Sequence, residues 1–123
     1  MNNRPEGEEP YHQHELTYAG RIAALQEAPK EIPAVLQAIR IGDLAVCSIP
    51  FEVFVEIGLE LKEKSPFAKT FTASLTNGSY GYLPTLEQHA LGGYETWMGT
   101  NNVELTAAPK IVKTLLGMLE DLK

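Results

Sequence analysis

The chain has 123 residues, 44% of them hydrophobic, which suffices for one core and leaves no room for a second full domain. A net charge of -6 and a pI near 5.0, with ten Lys and Arg scattered along the chain, exclude the basic stripe that nucleic-acid binding needs. A single cysteine, Cys47, rules out an intramolecular disulfide, and its place in the apolar run Leu44 to Ile49 marks it as a buried small hydrophobe.

Met1 to Pro10 is polar and acidic with two prolines. It reads as a flexible, linker-like segment, neither a signal peptide nor a membrane span, with a single α/β domain expected over 11–123. From Glu15 to Ala28, the apolar residues Leu16, Ala19, Ile22, Ala23 and Leu25 recur at helical spacing until Pro29 stops them. Pro33 then opens a strand-like run from Ala34 to Ile41. Gly42-Asp43 separates it from a second run, Leu44 to Ile49, and glycine at the first central position suits a type II′ or I′ hairpin. Beyond Pro50, the residues Phe54, Ile57, Gly58 and Leu61 repeat at three and four until Ser65-Pro66, a helix whose far face carries Glu56, Glu60, Lys62, Glu63 and Lys64 as solvated surface.

Lys69 to Leu75 alternates Phe71, Ala73 and Leu75 with Thr70, Thr72 and Ser74, the period of a strand. Strand, helix and strand in succession predict a right-handed βαβ unit with parallel strands. A long irregular stretch follows to about Leu105, rich in glycine and holding one short helical piece capped by Thr85 with Gln88 and stopped by Gly92. A loop this long in a compact domain generally has a task, and Tyr80, Tyr82, Tyr94 and Trp97 within it argue against disorder. Ile111, Val112, Leu115, Leu116, Met118, Leu119 and Leu122 form the broad apolar face of a closing helix. The expected fold is therefore α/β: a mixed sheet with a β-hairpin and a βαβ unit, flanked by N- and C-terminal helices and forming part of a larger α/β domain.

Two polar residues, Glu52 and Tyr82, each lie just past or beside a strand-like run. If those strands are parallel, both residues emerge at the carboxyl edge of the sheet, where open α/β sheets place their sites. Glu52 is expected at a strand-to-helix junction, where the helix dipole favours a carboxylate. It is then either a hard metal ligand or a plain helix-start acid. Tyr82, flanked by Gly78 and Gly81, is a metal ligand or oxyanion donor, or else an amphipathic cap on the core edge. His12 and His14 form a His-x-His pair that supplies only half of a tetrahedral site and reads as surface. His89 is a further candidate beside Glu52 and Tyr82. No phosphate-binding glycine loop, no Cys-x-x-Cys and no nucleophile elbow is present.

Pro50-Phe51-Glu52-Val53-Phe54, the helix after it, and Thr70 to Leu75 with Asn77, Tyr82, Thr85, Glu87 and Gly93-Tyr94-Glu95 resemble the distal part of the neutral/alkaline non-lysosomal ceramidase catalytic domain. The resemblance spans roughly Val35 to Gly99. It implies that Glu52 falls on the zinc-binding glutamate of a Pro-Gly-Glu-Phe-like segment and Tyr82 on the ligand tyrosine of a Tyr-x-His-Tyr segment. Phe51, Ser79, Gly81 and Leu83-Pro84-Thr85 depart from those motifs, which implies a divergent bacterial-type, ceramidase-like branch. The family's two zinc-binding histidines and its active-site serine lie upstream of the matched portion, and His12, His14 and His89 do not occupy their positions.

The resemblance thus implies the C-terminal portion of a zinc-dependent amide hydrolase acting on an N-acyl amide, sphingolipid-like or other. Glu52 and Tyr82 would be its metal ligands, Tyr82 would also serve catalysis, and Zn²⁺ would be held only if upstream histidines are supplied. The alternative is a noncatalytic α/β module whose Gly- and Tyr-rich loop binds a ligand or protein. Expected partners are the missing upstream part of the domain, an N-acyl amide or lipid-like substrate, and a second copy in a homodimer, with no nucleic acid and no transmembrane segment.

Overall fold

A computed structural model describes residues 13–123. In chain order it contains α1 (Gln13–Glu27), β1 (Gln37–Ile41), β2 (Leu44–Ile49), β3 (Glu52–Val53), α2 (Val55–Lys64), β4 (Lys69–Ser74), β5 (Tyr82–Leu83), α3 (Leu86–Leu91), a 3-10 turn (Tyr94–Thr96) and α4 (Ala107–Asp121). The sheet is mixed, with order β1-β2-β4. β1 and β2 form the antiparallel hairpin, and β2 and β4 pair in parallel across the α2 crossover. At the hairpin turn Gly42 takes φ 61 while Asp43 keeps a negative φ. That combination selects the II′ form over I′.

Both α2 and α4 pack on one face of this sheet, α2 against β4 and α4 against β1, and they also touch each other. β2 sends Ala45, Cys47 and Ile49 into the core, where they meet Ile57 and Leu61 of α2 and Val112, Leu115 and Leu119 of α4. Full burial of side chains such as Ile57 and Leu61 contributes about 1.5–3 kcal/mol each. That outweighs the exposed Glu60–Lys64 pair on the same helix, which spans 2.6 Å in water.

The register puts Thr70 and Thr72 beside Ala45 and Cys47, so the threonine side of β4 faces the helices. Phe71 points the other way and is half-exposed, together with Ile39 and Ile41 of β1. An alternating pattern identifies a strand but not which side is covered. Here α2 covers the threonine side, with Gly58 lying directly over Thr72. One face of the sheet consequently stays bare of helices among the described residues.

α1 differs from expectation. It forms, but no residue of it is buried, and Leu16, Ile22 and Leu25 lie open to solvent. Its contacts run instead through Tyr18 and Arg21 to the loop around Thr100. The expected strand from Ala34 begins only at Gln37, where pairing with Ser48 starts. Glu56 is not simply solvated surface either, since its carboxylate accepts a 2.8 Å hydrogen bond from the Gln88 amide and joins α2 to α3. No helix is long and apolar enough to cross a membrane among the described residues.

Candidate functional site

β3 and β5 form a second, two-stranded parallel ladder outside the main sheet, in which Glu52 pairs with Tyr82 and Val53 with Leu83. Backbone bonds from Glu52 N–H to the Gly81 carbonyl (2.9 Å) and from Phe54 N–H to the Leu83 carbonyl (3.2 Å) hold this register. Tyr80 N–H donates to the Pro50 carbonyl and Tyr82 N–H to the Thr100 carbonyl, so the glycine-rich loop is stitched to the core on both sides. Residues paired in a ladder show their side chains on the same side. The carboxylate and the phenol therefore meet, although thirty positions separate them in the sequence.

Glu52 does not start the helix as expected. It sits in β3, ahead of the N-cap residue Phe54, and the acid in the first turn of α2 is Glu56. Glu52 is exposed and free of a capping role, which leaves its oxygens available beside Tyr82.

Tyr82 is half-buried between two aromatic rings. Phe54 and Tyr94 both meet it edge-on, with ring centroids 6.5 and 5.6 Å away. Its hydroxyl lies 3.0 Å from that of Tyr94, and either can donate. The hydrogen bond with Tyr94, and after it the attraction of the Glu52 carboxylate for the phenol hydrogen, hold the Tyr82 hydroxyl well above the ordinary tyrosine range. At neutral pH Tyr82 is thus a neutral O–H donor set beside a carboxylate.

Two shallow grooves flank the Tyr82 ring. One, of about 320 Å³, is walled by Glu52, Phe54 and Leu75. The other, of about 470 Å³, is walled by Tyr18, Arg21, Tyr94 and Thr100. On the wall of the first groove Leu75 holds a strained left-handed backbone at φ 52. A larger hollow of about 630 Å³ lies against α4 and the segment 29–34 and contains neither Glu52 nor Tyr82. Size alone does not locate the chemistry.

Of the three histidines, His12 lies outside the described residues. His14 stands at the start of α1, and His89 lies half-buried on α3 without lining either groove beside Tyr82. Among the described residues no group of three His, Cys, Asp or Glu side chains is placed to hold a metal ion. Glu52 and Tyr82 supply two hard oxygen donors, a fit for half of a tetrahedral zinc site.

In the sequence Tyr94 stands out as one of the loop aromatics and as part of the resembling segment but not as a site residue, and nothing there marks Tyr18, Arg21 or Thr100. The paired Gly92-Gly93, both at positive φ, is the signal that could have located the turn presenting Tyr94. Arg21 carries no such signal, because an arginine on an exposed helix reads as solvated surface.

No protein-family model matches this chain, and no curated protein does. Among solved structures, the neutral ceramidase from Pseudomonas aeruginosa is similar to it at 20% sequence identity, with a TM-score of 0.49, over 70% of this chain. The chain spans 15% of the length of that protein.

Proposed function

We propose that this chain is the distal, metal-holding part of a zinc-dependent amide hydrolase acting on an N-acyl amide. The observation that carries the reading is the pairing of Glu52 with Tyr82 across the β3–β5 ladder, which brings together the two residues that the ceramidase-like motifs assign to the metal. Zinc bound there would supply a water of lowered pKa and a Lewis acid for the scissile carbonyl.

Glu52 contributes a carboxylate anchored by its own backbone N–H. Tyr82 contributes a phenol oxygen steered by Tyr94, and in its neutral form an O–H positioned to donate to a developing oxyanion. The remaining nitrogen ligands and the active-site serine belong, on this reading, to an upstream portion of the same catalytic domain. That portion would pack on the bare face of the sheet, and in its absence two copies of the chain would meet there.

The test is zinc content. The chain joined to its upstream coding region should bind one zinc per chain, and Glu52→Ala should reduce that at least tenfold with the fold intact by circular dichroism. Full zinc occupancy in Glu52→Ala, or no uptake by the joined protein, would overturn the hydrolase reading and leave a noncatalytic binding module.

A further inference from the structure

The groove on the far side of Tyr82 from Glu52 contains a cation that nothing in the hydrolase reading uses. Arg21 reaches in from α1, its Nη1 donating to Thr100 Oγ1 at 3.0 Å and its guanidinium carbon 5.0 Å from the centre of the Tyr18 ring. Thr100 is buried and passes the connection on, donating from Oγ1 to the Tyr18 hydroxyl at 3.1 Å.

Two glycines make this arrangement possible. A side chain on Gly99, at φ 81, would collide with the Arg21 Cβ, and one on Gly81, at φ 93, would strike the Thr100 carbonyl oxygen at 2.5 Å. Arg21 is therefore held in place by a ring below it, a hydroxyl beside it and a backbone shaped around its stem. No carboxylate among the described residues forms an ion pair with it.

A guanidinium has five N–H donors in a planar fork. One is engaged by Thr100, so an edge remains for a ligand. In a chain of net charge -6, an arginine fixed at a groove lined by three tyrosines, with no acidic residue among the described residues that line it, is an unsatisfied electrostatic feature.

We propose that the Tyr18–Arg21–Thr100 groove binds a carboxylate, so that the substrate is an N-acyl amide bearing a carboxylate near its amide bond, as in an N-acyl amino acid. A single cation and no second basic side chain on the groove wall match a monoanion; a phosphate dianion would call for more positive charge. Naming the substrate as an amide rests on the hydrolase reading above, whereas carboxylate binding by Arg21 stands apart from it.

Trp97 provides the readout. It is the one tryptophan of the chain, and its ring meets Tyr18 edge-on with centroids 5.0 Å apart. Titrating the full chain with N-hexanoylglycine should change Trp97 emission saturably, and the neutral analogue N-hexanoylglycinamide should bind at least threefold more weakly. Arg21→Gln should abolish that preference, bringing acid and amide within threefold of each other, and Arg21→Lys should keep only part of it.

Equal binding of acid and amide by the unaltered chain would overturn the proposal, a comparison that needs no variant to fold. So would an acid preference that survives in Arg21→Gln, competition by inorganic phosphate as strong as by the acid, or no binding of the acid at all. The two readings fail separately: zinc retained in Glu52→Ala with the acid preference intact removes the hydrolase and leaves the carboxylate site, while the converse pattern does the reverse.

Discussion

Cys47 shows how far a residue's chemistry follows from its surroundings. It is fully enclosed by β2 and the helices above it, and burial pushes its thiol up to about 11. The thiolate is the reactive form, so Ellman's reagent at pH 8 should leave native Cys47 unlabelled and react fully once urea unfolds the chain. The linkage has a definite sign. A raised native pKa means the folded chain keeps its proton where the unfolded one has lost it, so stability is full below the ordinary thiol range and declines as pH climbs through it toward 11. Replacement by Ala or Ser should flatten that decline in urea titrations at pH 8 and pH 10. A neighbouring position on the helix-facing side of β4, Thr72, has a buried hydroxyl with no partner under Gly58. Thr72→Val keeps the shape and removes the orphan, and it should raise the urea midpoint by an amount equivalent to about 1 kcal/mol. The residue scale was legible in the sequence where one environment dominates, as at Cys47. It was illegible at Arg21, whose role depends on Thr100 lying 79 positions away.

At the scale of elements, local signals worked where the chain talks to itself. Thr85 caps α3 by accepting from Gln88 N–H at 3.1 Å, and Gly92 closes it at φ 80. The other half of the expected capping box does not form, because the Gln88 side chain reaches across to Glu56 instead. β3 and β5 were not legible, since two-residue strands have no periodicity, and they exist because Pro50, Gly81 and Thr100 offer carbonyls at the right places. α1 was legible as a helix but not in its docking, as the apolar stripe that identified it is not the side that makes contact. Gly81, just ahead of β5, lies tight against the segment at Thr100, a strap bonded to β5 through Tyr82 N–H. Gly81→Ala would combine a left-handed backbone with a clash against a carbonyl, and it should cost about 2–4 kcal/mol in urea unfolding, with Trp97 emission reporting loss of the strap early in the transition.

For the molecule as a whole, the hairpin, the parallel crossover and the closing helix follow the sequence closely, because each rests on long, strongly patterned runs. The bare face of the sheet was foreseen only in outline. Ile39, Ile41 and Phe71 leave an apolar surface there that water does not favour. The isolated chain should therefore self-associate, with a light-scattering mass that rises with concentration, and the double variant Ile41→Lys with Phe71→Lys should stay monomeric at the same concentrations. A steady monomer for the unaltered chain would remove the need for any covering partner. The packing of α4 on β1 and α2 has a different consequence. It clasps the C-terminal helix to elements from the first half of the chain, and Leu91, 80% exposed, lies in the stretch between them. A protease that severs the chain beside Leu91 should yield two pieces that elute together, the clasp acting as a splint in place of the broken peptide link.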